Sequence, residues 1–241
     1  MIRLFRDDPP ATLLKNQPAW TKRWQRIRKT GTRNRDWATR TAKAVIRDAL
    51  VRMTFGKCAF CEALLGVTSD PEIEHYHPKT VREDLAFEWA NLLPVCRLCN
   101  RAKGDWNHQG SLLKPDEEDP EPFFWIHPDT GKLAPHPALN DQEKRRAEQT
   151  IRLCDLQRSA LCSQRIQTIE RAGKFVDSLS RIRTRPSASR RAQLPRALIR
   201  EWKGLSDPRA EYKFVLRHLL ERRGLGELAR QDRDRFERRL I

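Results

Sequence analysis

The sequence predicts a mainly α-helical protein of the α+β class, with a small cysteine-held core at its centre. Residues 35–54 place their apolar side chains at helical spacing, and several stretches after residue 138 do the same. Between these helical regions lie short segments with turns and four cysteines. Six prolines between residues 111 and 137 exclude long helices and central strands from that stretch.

The chain divides into four predicted regions: an N-terminal arm with helices, a cysteine-containing core, a proline-rich wrap or linker, and a basic helical region. In chain order their bounds are 1–56, 57–110, 111–137 and 138–241. Within the first region, residues 1–17 are predicted to be irregular because Pro9, Pro10 and Pro18 break helices. A short helix is expected over 18–29, before the longer one.

The net charge of +16 predicts a polyanionic partner, most often nucleic acid. The charge is uneven: residues 1–57 carry +11, residues 58–137 carry −7 and residues 138–241 carry +12. The basic flanks would therefore bind phosphate, whereas the acidic middle needs a cation before it can hold phosphate. DNA is the favoured partner and RNA stays open, because both present phosphates.

Two C-x-x-C pairs, 34 residues apart, are the sharpest signal in the chain. In such a pair both sulfurs turn to one point, and two pairs supply the four thiolates of a tetrahedral structural Zn²⁺ site. These cysteines are Cys58, Cys61, Cys96 and Cys99. Disulfides are the alternative, but no secretory signal is visible at the N-terminus, so we expect a cytoplasmic protein with reduced thiols. No apolar run approaches the roughly 18 residues of a membrane span.

Between and after the cysteine pairs, an acidic residue and a histidine are followed by two asparagines. In order these are Glu74, His75, Asn91 and Asn100. The series C-x-x-C, [DE]-H, N-L, C-x-x-C and then His or Asn resembles the HNH (ββα-metal) endonuclease family over about residues 57–104. The resemblance implies that 57–110 is an HNH nuclease core with a zinc-stapled ββα fold.

The resemblance also implies roles for these residues in phosphodiester hydrolysis. His75 would be the general base, since an imidazole titrates near neutral pH. Glu74 and Asn100 would bind a catalytic Mg²⁺ or Mn²⁺ through oxygen, and Asn91 would pin the loop that carries the base. Many relatives have histidine where this chain has Asn100. His77 remains a second candidate base, because it would point the same way as His75 in a regular strand.

Four basic residues of the core are candidate nucleic-acid ligands. Lys103 lies about one helical turn beyond Asn100, close enough to reach a phosphate. The other candidates are Arg97, Arg101 and Lys79, and ordinary exposed charge is the alternative for the two arginines.

Shorter motifs extend the resemblance to one HNH subfamily. They include Arg3-Leu4-Phe5-Arg6, the tryptophan-containing Trp89-Ala90-Asn91 and the stretch 150–158. Together they resemble the PtuB-like nuclease subunit of Septu-type and retron-associated antiphage defence systems. That resemblance implies an ATPase partner of the ABC or SMC-like kind. The given sequence has no P-loop motif, so any use of ATP is expected to come from another chain.

A different class of function shares the cysteines and the basic flanks. A non-catalytic zinc module that binds nucleic acid or a protein partner needs neither an acid–base pair nor Mg²⁺. A nuclease acting on RNA rather than DNA is a further alternative. Addition of Mg²⁺ or Mn²⁺ to protein and nucleic acid separates the catalytic from the non-catalytic hypothesis.

Overall fold

Helices form most of the structure, and the short strands pair into two small sheets. The computed structural model describes residues 1–31, 37–67, 70–106, 110–183 and 196–238. Its helices are α1 (Ala11–Thr30), α2 (Arg40–Met53), α3 (Arg97–Lys103), α4 (Asp141–Leu153), α5 (Ser159–Arg183), α6 (Arg196–Leu205), α7 (Lys213–Arg222) and α8 (Gly226–Arg238). Its strands are β1 (Glu72–His75), β2 (Leu92–Val95), β3 (Phe124–Ile126) and β4 (Leu133–Pro135). The predicted mainly helical, α+β class is confirmed.

The central sheet joins β1 to β2 in antiparallel register, with Glu72 opposite Val95 and His75 opposite Leu92. Every residue of β2 is buried. Pro94 fits there because, with two strands only, its missing N–H falls on an outer edge. Helix α3 follows β2 directly and packs against β1, while α2 covers the sheet from another side.

The N-terminal region is more helical than predicted. Helix α1 begins at Ala11 and runs through Pro18, which we expected to end an irregular arm. Proline removes one backbone donor, but Pro18 lies on the exposed side of α1, where water can replace the lost bond. Helix α2 begins later than the predicted residue 35, because the Thr39 side chain caps it by accepting a bond from the Ala42 N–H at 3.2 Å. Residues 35 and 36 lie outside the described part of the chain.

The proline-rich segment forms a second antiparallel sheet rather than a plain linker. Phe124 and Ile126 of β3 are buried, and the sheet packs against α4 and α7. A buried ion network fixes it to the C-terminal helices: Arg217 of α7 pairs with both Glu121 and Asp232, and Lys213 also pairs with Asp232.

The hydrophobic core of the described residues has three parts, two of which include residues of the central sheet. One surrounds the C-x-x-C cysteines and reaches α4 and α7, one lies between α1, α2 and β2, and one lies among α5 to α8. Among the described helices, none has a stretch long and apolar enough to cross a lipid bilayer.

Candidate metal and active site

Four cysteine side chains meet at one point between α2 and α3. The sulfurs of Cys58, Cys61, Cys96 and Cys99 all lie within 4.8 Å of one another. Backbone bonds shape the first pair, since Cys58 N–H donates to Ala63 O at 2.9 Å and the Ala59 N–H donates to Pro94 O at 2.9 Å. The second pair opens α3. This tetrad can hold a metal ion such as zinc, as the spacing predicts.

An arginine from the distant helical region contacts this tetrad. The Arg158 guanidinium donates to the Cys99 sulfur at 3.6 Å and to the Cys96 sulfur at 3.9 Å. A cation at that place offsets the negative charge of thiolates. The sequence motif does not reveal this contact, because Arg158 follows Cys99 by 59 residues. Cys154 and Cys162 are buried outside the tetrad, as expected for small core residues.

Beside the tetrad, a cavity of about 180 Å³ is lined by the predicted acidic, histidine and asparagine residues. Glu74, His75 and Asn100 all line it. The other lining residues are Ile73, Pro78, Lys79, Gly104 and Asp105. Glu74 and Asn100 are 26 positions apart in sequence, yet they and His75 border one small space because α3 packs against β1.

Glu74 is buried and ion-paired. Its Oε1 accepts a bond from the Lys103 ammonium at 2.5 Å, and the same ammonium donates to the backbone oxygen of His75 at 2.9 Å. Burial raises the pKa of Glu74 to about 7, although Lys103 and Lys79 act in the opposite direction. Glu74 can therefore bind either a proton or a cation near neutral pH.

His75 is held in one orientation. Its Nε2 lies 3.0 Å from the backbone oxygen of Ala86, and the indole of Trp37 meets the imidazole edge-on at 4.7 Å between centroids. A carbonyl can only accept, so Nε2 carries the proton and Nδ1 keeps a lone pair. Burial, assisted by the charge of Lys79, holds the pKa of His75 well below its usual value, so the ring stays neutral.

Asn91 ties together the backbone that follows β1. Its Oδ1 accepts from the His77 N–H at 2.7 Å, and its Nδ2 donates to the carbonyls of His77 and Leu85, each at 3.0 Å. His77 itself stands outside the set of residues that line the cavity. Strand β1 ends at His75, so the regular alternation that would align the two imidazoles does not continue to His77.

Asn100 is oriented by a residue that the sequence motif did not include. Its Nδ2 donates to Glu72 Oε2, which leaves the oxygen of the same amide as the atom that a cation would bind. Glu72 and Glu74 lie two residues apart on β1 and so share a face. That alternation is the signal that could have identified Glu72. Asp105, which also lines the cavity, has no comparable signal.

The predicted nucleic-acid ligands occupy different environments. We predicted that Lys103 contacts a phosphate. This residue is instead 2% exposed and paired with Glu74, so it does not lie at the surface. Lys79 lines the cavity, and burial lowers the pKa of its ammonium. Arg97 and Arg101 are exposed on α3.

Comparison with known proteins finds similarity to one kind of protein. No family model matches the chain. The Septu protein PtuB of Bacillus thuringiensis is 36% identical over 105 residues, which is 43% of this chain and 37% of that protein. The Septu protein PtuB of Bacillus mycoides (strain KBAB4) is 28% identical over 145 residues, 50% of this chain and 49% of that protein. The resemblance to PtuB is thereby confirmed, over less than half the length of either relative.

Proposed function

We propose that this protein is a metal-dependent HNH endonuclease that hydrolyses phosphodiester bonds in nucleic acid, with DNA as the favoured substrate. The observation that carries the proposal is the single cavity lined by Glu74, His75 and Asn100 beside the four-cysteine cluster. A neutral imidazole, a carboxylate and an amide oxygen are the groups that metal-assisted hydrolysis requires.

Each group has a role that follows from its geometry. His75 takes the proton of the attacking water at Nδ1, because Nε2 is committed to the Ala86 carbonyl. Glu74 and Asn100 would hold a Mg²⁺ or Mn²⁺ ion through oxygen, and such an ion would stabilise negative charge on the phosphate and its leaving oxygen. Asn91 positions the chain after β1 through its three hydrogen bonds.

The four cysteines would bind a structural Zn²⁺. All four positions are filled by sulfur, which is typical of closed structural sites rather than of catalytic ones. Zinc bound by these cysteines would join the segment after α2 to the start of α3, and Arg158 ties the α4–α5 connection to the same cluster. The metal would therefore hold β1 against α3, where the cavity forms.

The similarity to the two Septu proteins supports a role in antiphage defence. The resemblance implies an ATPase subunit of the ABC or SMC-like kind as the partner of this chain. We propose that such a subunit controls or presents the substrate. The net charge of +16 supports nucleic acid as the substrate, and RNA is the alternative to DNA.

One observation favours a non-catalytic zinc module instead. The Lys103 ammonium already neutralises Glu74, so the carboxylate has a cation without any metal ion. In that case the cavity would be structural and the protein would only bind nucleic acid or a partner. Cleavage assays decide between the two.

The test compares His75→Ala with His77→Ala in plasmid cleavage with added Mn²⁺ or Mg²⁺, with the ATPase partner present. We expect His75→Ala to lose cutting and His77→Ala to keep it, because His75 lines the cavity and His77 does not. Both variants should keep the zinc content of the wild type and unfold cooperatively, although His75→Ala should be less stable because it removes a buried side chain. Full cleavage by the double variant would refute the nuclease mechanism, and no cleavage by the wild type would favour the binding module.

A further inference from the structure

One tryptophan is placed differently from all the others. Trp106 is 44% exposed, whereas the remaining six tryptophans of the chain are buried or partly buried. The guanidinium of Arg152 on α4 lies 6.0 Å from the centre of the Trp106 ring. An exposed indole beside an arginine offers a flat apolar face with a positive charge next to it.

This tryptophan lies three residues beyond the end of α3, next to the proposed reaction cavity. Gly104 ends the helix with a φ of +54°, a conformation that favours glycine. Gly104 and Asp105 both line the cavity, so Trp106 is one residue away from its wall. The turn at Gly104 carries the chain toward α4, as the contact with Arg152 shows.

Two further arginines extend positive charge along the same helix. Arg97 and Arg101 are exposed, and at about 100° per residue they lie on the side of α3 next to Asn100 and Gly104. We call Trp106, Arg152, Arg97 and Arg101 the Trp106 surface. Asp105 is the acidic residue closest in sequence to it, and it belongs to the cavity side.

We propose that the Trp106 surface is a binding site for an unpaired nucleotide, whose base stacks on Trp106 while Arg97, Arg101 and Arg152 contact the flanking phosphates. This inference rests on the proposed function, because it places that nucleotide beside the phosphate to be cut. Indole stacking needs an exposed base face, which a paired duplex does not offer. The substrate class is therefore nucleic acid with a single-stranded segment at the cleavage site.

Binding to labelled oligonucleotides, measured by fluorescence anisotropy in zinc-loaded protein without added Mg²⁺ or Mn²⁺, tests the proposal. The probes are a 20-nucleotide single strand of DNA, its RNA equivalent and a 20-base-pair DNA duplex. Trp106→Ala should weaken single-strand binding by about 10- to 100-fold, whereas Trp106→Phe should keep most of it. Duplex affinity should change by less than about threefold in both variants. The matched control is Ile199→Ala, which changes an exposed apolar residue of α6.

The outcomes separate this proposal from the proposed function. The proposed nucleotide site is overturned if Trp106→Ala keeps its affinity for the single strand, or if it loses affinity for single strand and duplex equally. Either result counts against the site even if the wild type cuts nucleic acid. A selective single-strand loss supports the surface even if no cleavage is found. Comparison of the DNA and RNA single strands shows whether the site prefers deoxyribose or ribose in the bound nucleotide.

Discussion

At the scale of single residues, the Glu74–Lys103 pair is the most consequential contact of the site. Both side chains are almost fully buried, and the ammonium also satisfies the backbone oxygen of His75. Burying two charges is costly, but removing one of them leaves the other uncompensated. The pair therefore stabilises the contact between β1 and α3 as long as both members are present.

We predict that Lys103→Met lowers the free energy of unfolding by about 3–5 kcal/mol, because it leaves a carboxylate buried without a partner. Urea denaturation of zinc-loaded protein at pH 8 measures this. The matched control is Arg101→Met on the exposed side of α3, with an expected change within about 0.5 kcal/mol. Equal stabilities of the two variants would show that the pair does not hold β1 to α3.

Sequence reasoning at this scale succeeded where a motif states which residues come together. Glu74, His75 and Asn100 line one cavity, as their order in the chain suggests. It failed for Lys103, whose spacing from Asn100 indicates a surface phosphate contact, because burial depends on how α3 packs against β1. The contacts of Arg158 with the cysteines and of Trp106 with Arg152 were also not predicted, because the partners are distant in sequence.

At the scale of elements, we expect the cysteine tetrad to hold β1, β2 and α3 together. The two C-x-x-C pairs flank the sheet on either side in sequence, and their sulfurs converge within 4.8 Å. Such a small sheet buries too little apolar area to be stable alone. Metal binding would supply the missing free energy of folding.

We predict that Cys58→Ser loses zinc and its cooperative unfolding transition, because structural zinc contributes directly to folding. Cys154→Ser is the control, since Cys154 is equally buried but lies outside the tetrad. Zinc content by mass spectrometry and thermal unfolding by circular dichroism are the readouts. A Cys58→Ser protein with wild-type thermal stability would contradict the structural role of the tetrad.

Helix α7 provides a pH-dependent contribution to stability. His218 packs against Trp125 and Phe214, and its Nε2 is buried without a hydrogen-bond partner. Burial lowers its pKa to about 4; the neighbouring charges are Arg222 and His136, which act in the same direction, and Glu221, which opposes them.

Because the unfolded chain takes up a proton on His218 near pH 6.5 and the folded chain does so only near pH 4, stability falls as pH drops between these values. We predict that His218→Leu reduces the slope of the unfolding free energy against pH in this range. The reduction corresponds to about one proton fewer taken up on unfolding. Urea denaturation at several pH values from 4 to 7 measures it. The same pH dependence in both proteins would rule out His218 as the source.

Element prediction was accurate where apolar periodicity is strong and less so where proline interrupts it. Helix α2 forms where its apolar spacing predicts, with its first turn set by the Thr39 cap. Helix α1 continues through Pro18, because a proline on an exposed helix face costs less than one inside a packed element. The strands β3 and β4 were not predicted, since prolines obscure their alternation.

At the scale of the whole molecule, charge and architecture are complementary. The acidic middle of the chain contains the cavity, and the basic flanks are mainly helical in the part of the chain that the structure describes. The sequence predicted this distribution of charge, and the structure adds that α3 of the acidic middle packs against β1 and against α4 of the basic C-terminal flank.

The claim on which the account depends is that Glu74 and Asn100 bind a divalent ion next to His75. Its most direct test is Mn²⁺ binding to the zinc-loaded protein, followed by electron paramagnetic resonance, in the wild type and in Glu74→Gln. Glu83→Gln, which changes a glutamate outside the cavity, is the control. We expect one Mn²⁺ site in the wild type and the control, weakened at least about tenfold in Glu74→Gln. Equal Mn²⁺ affinity in all three proteins would contradict the account.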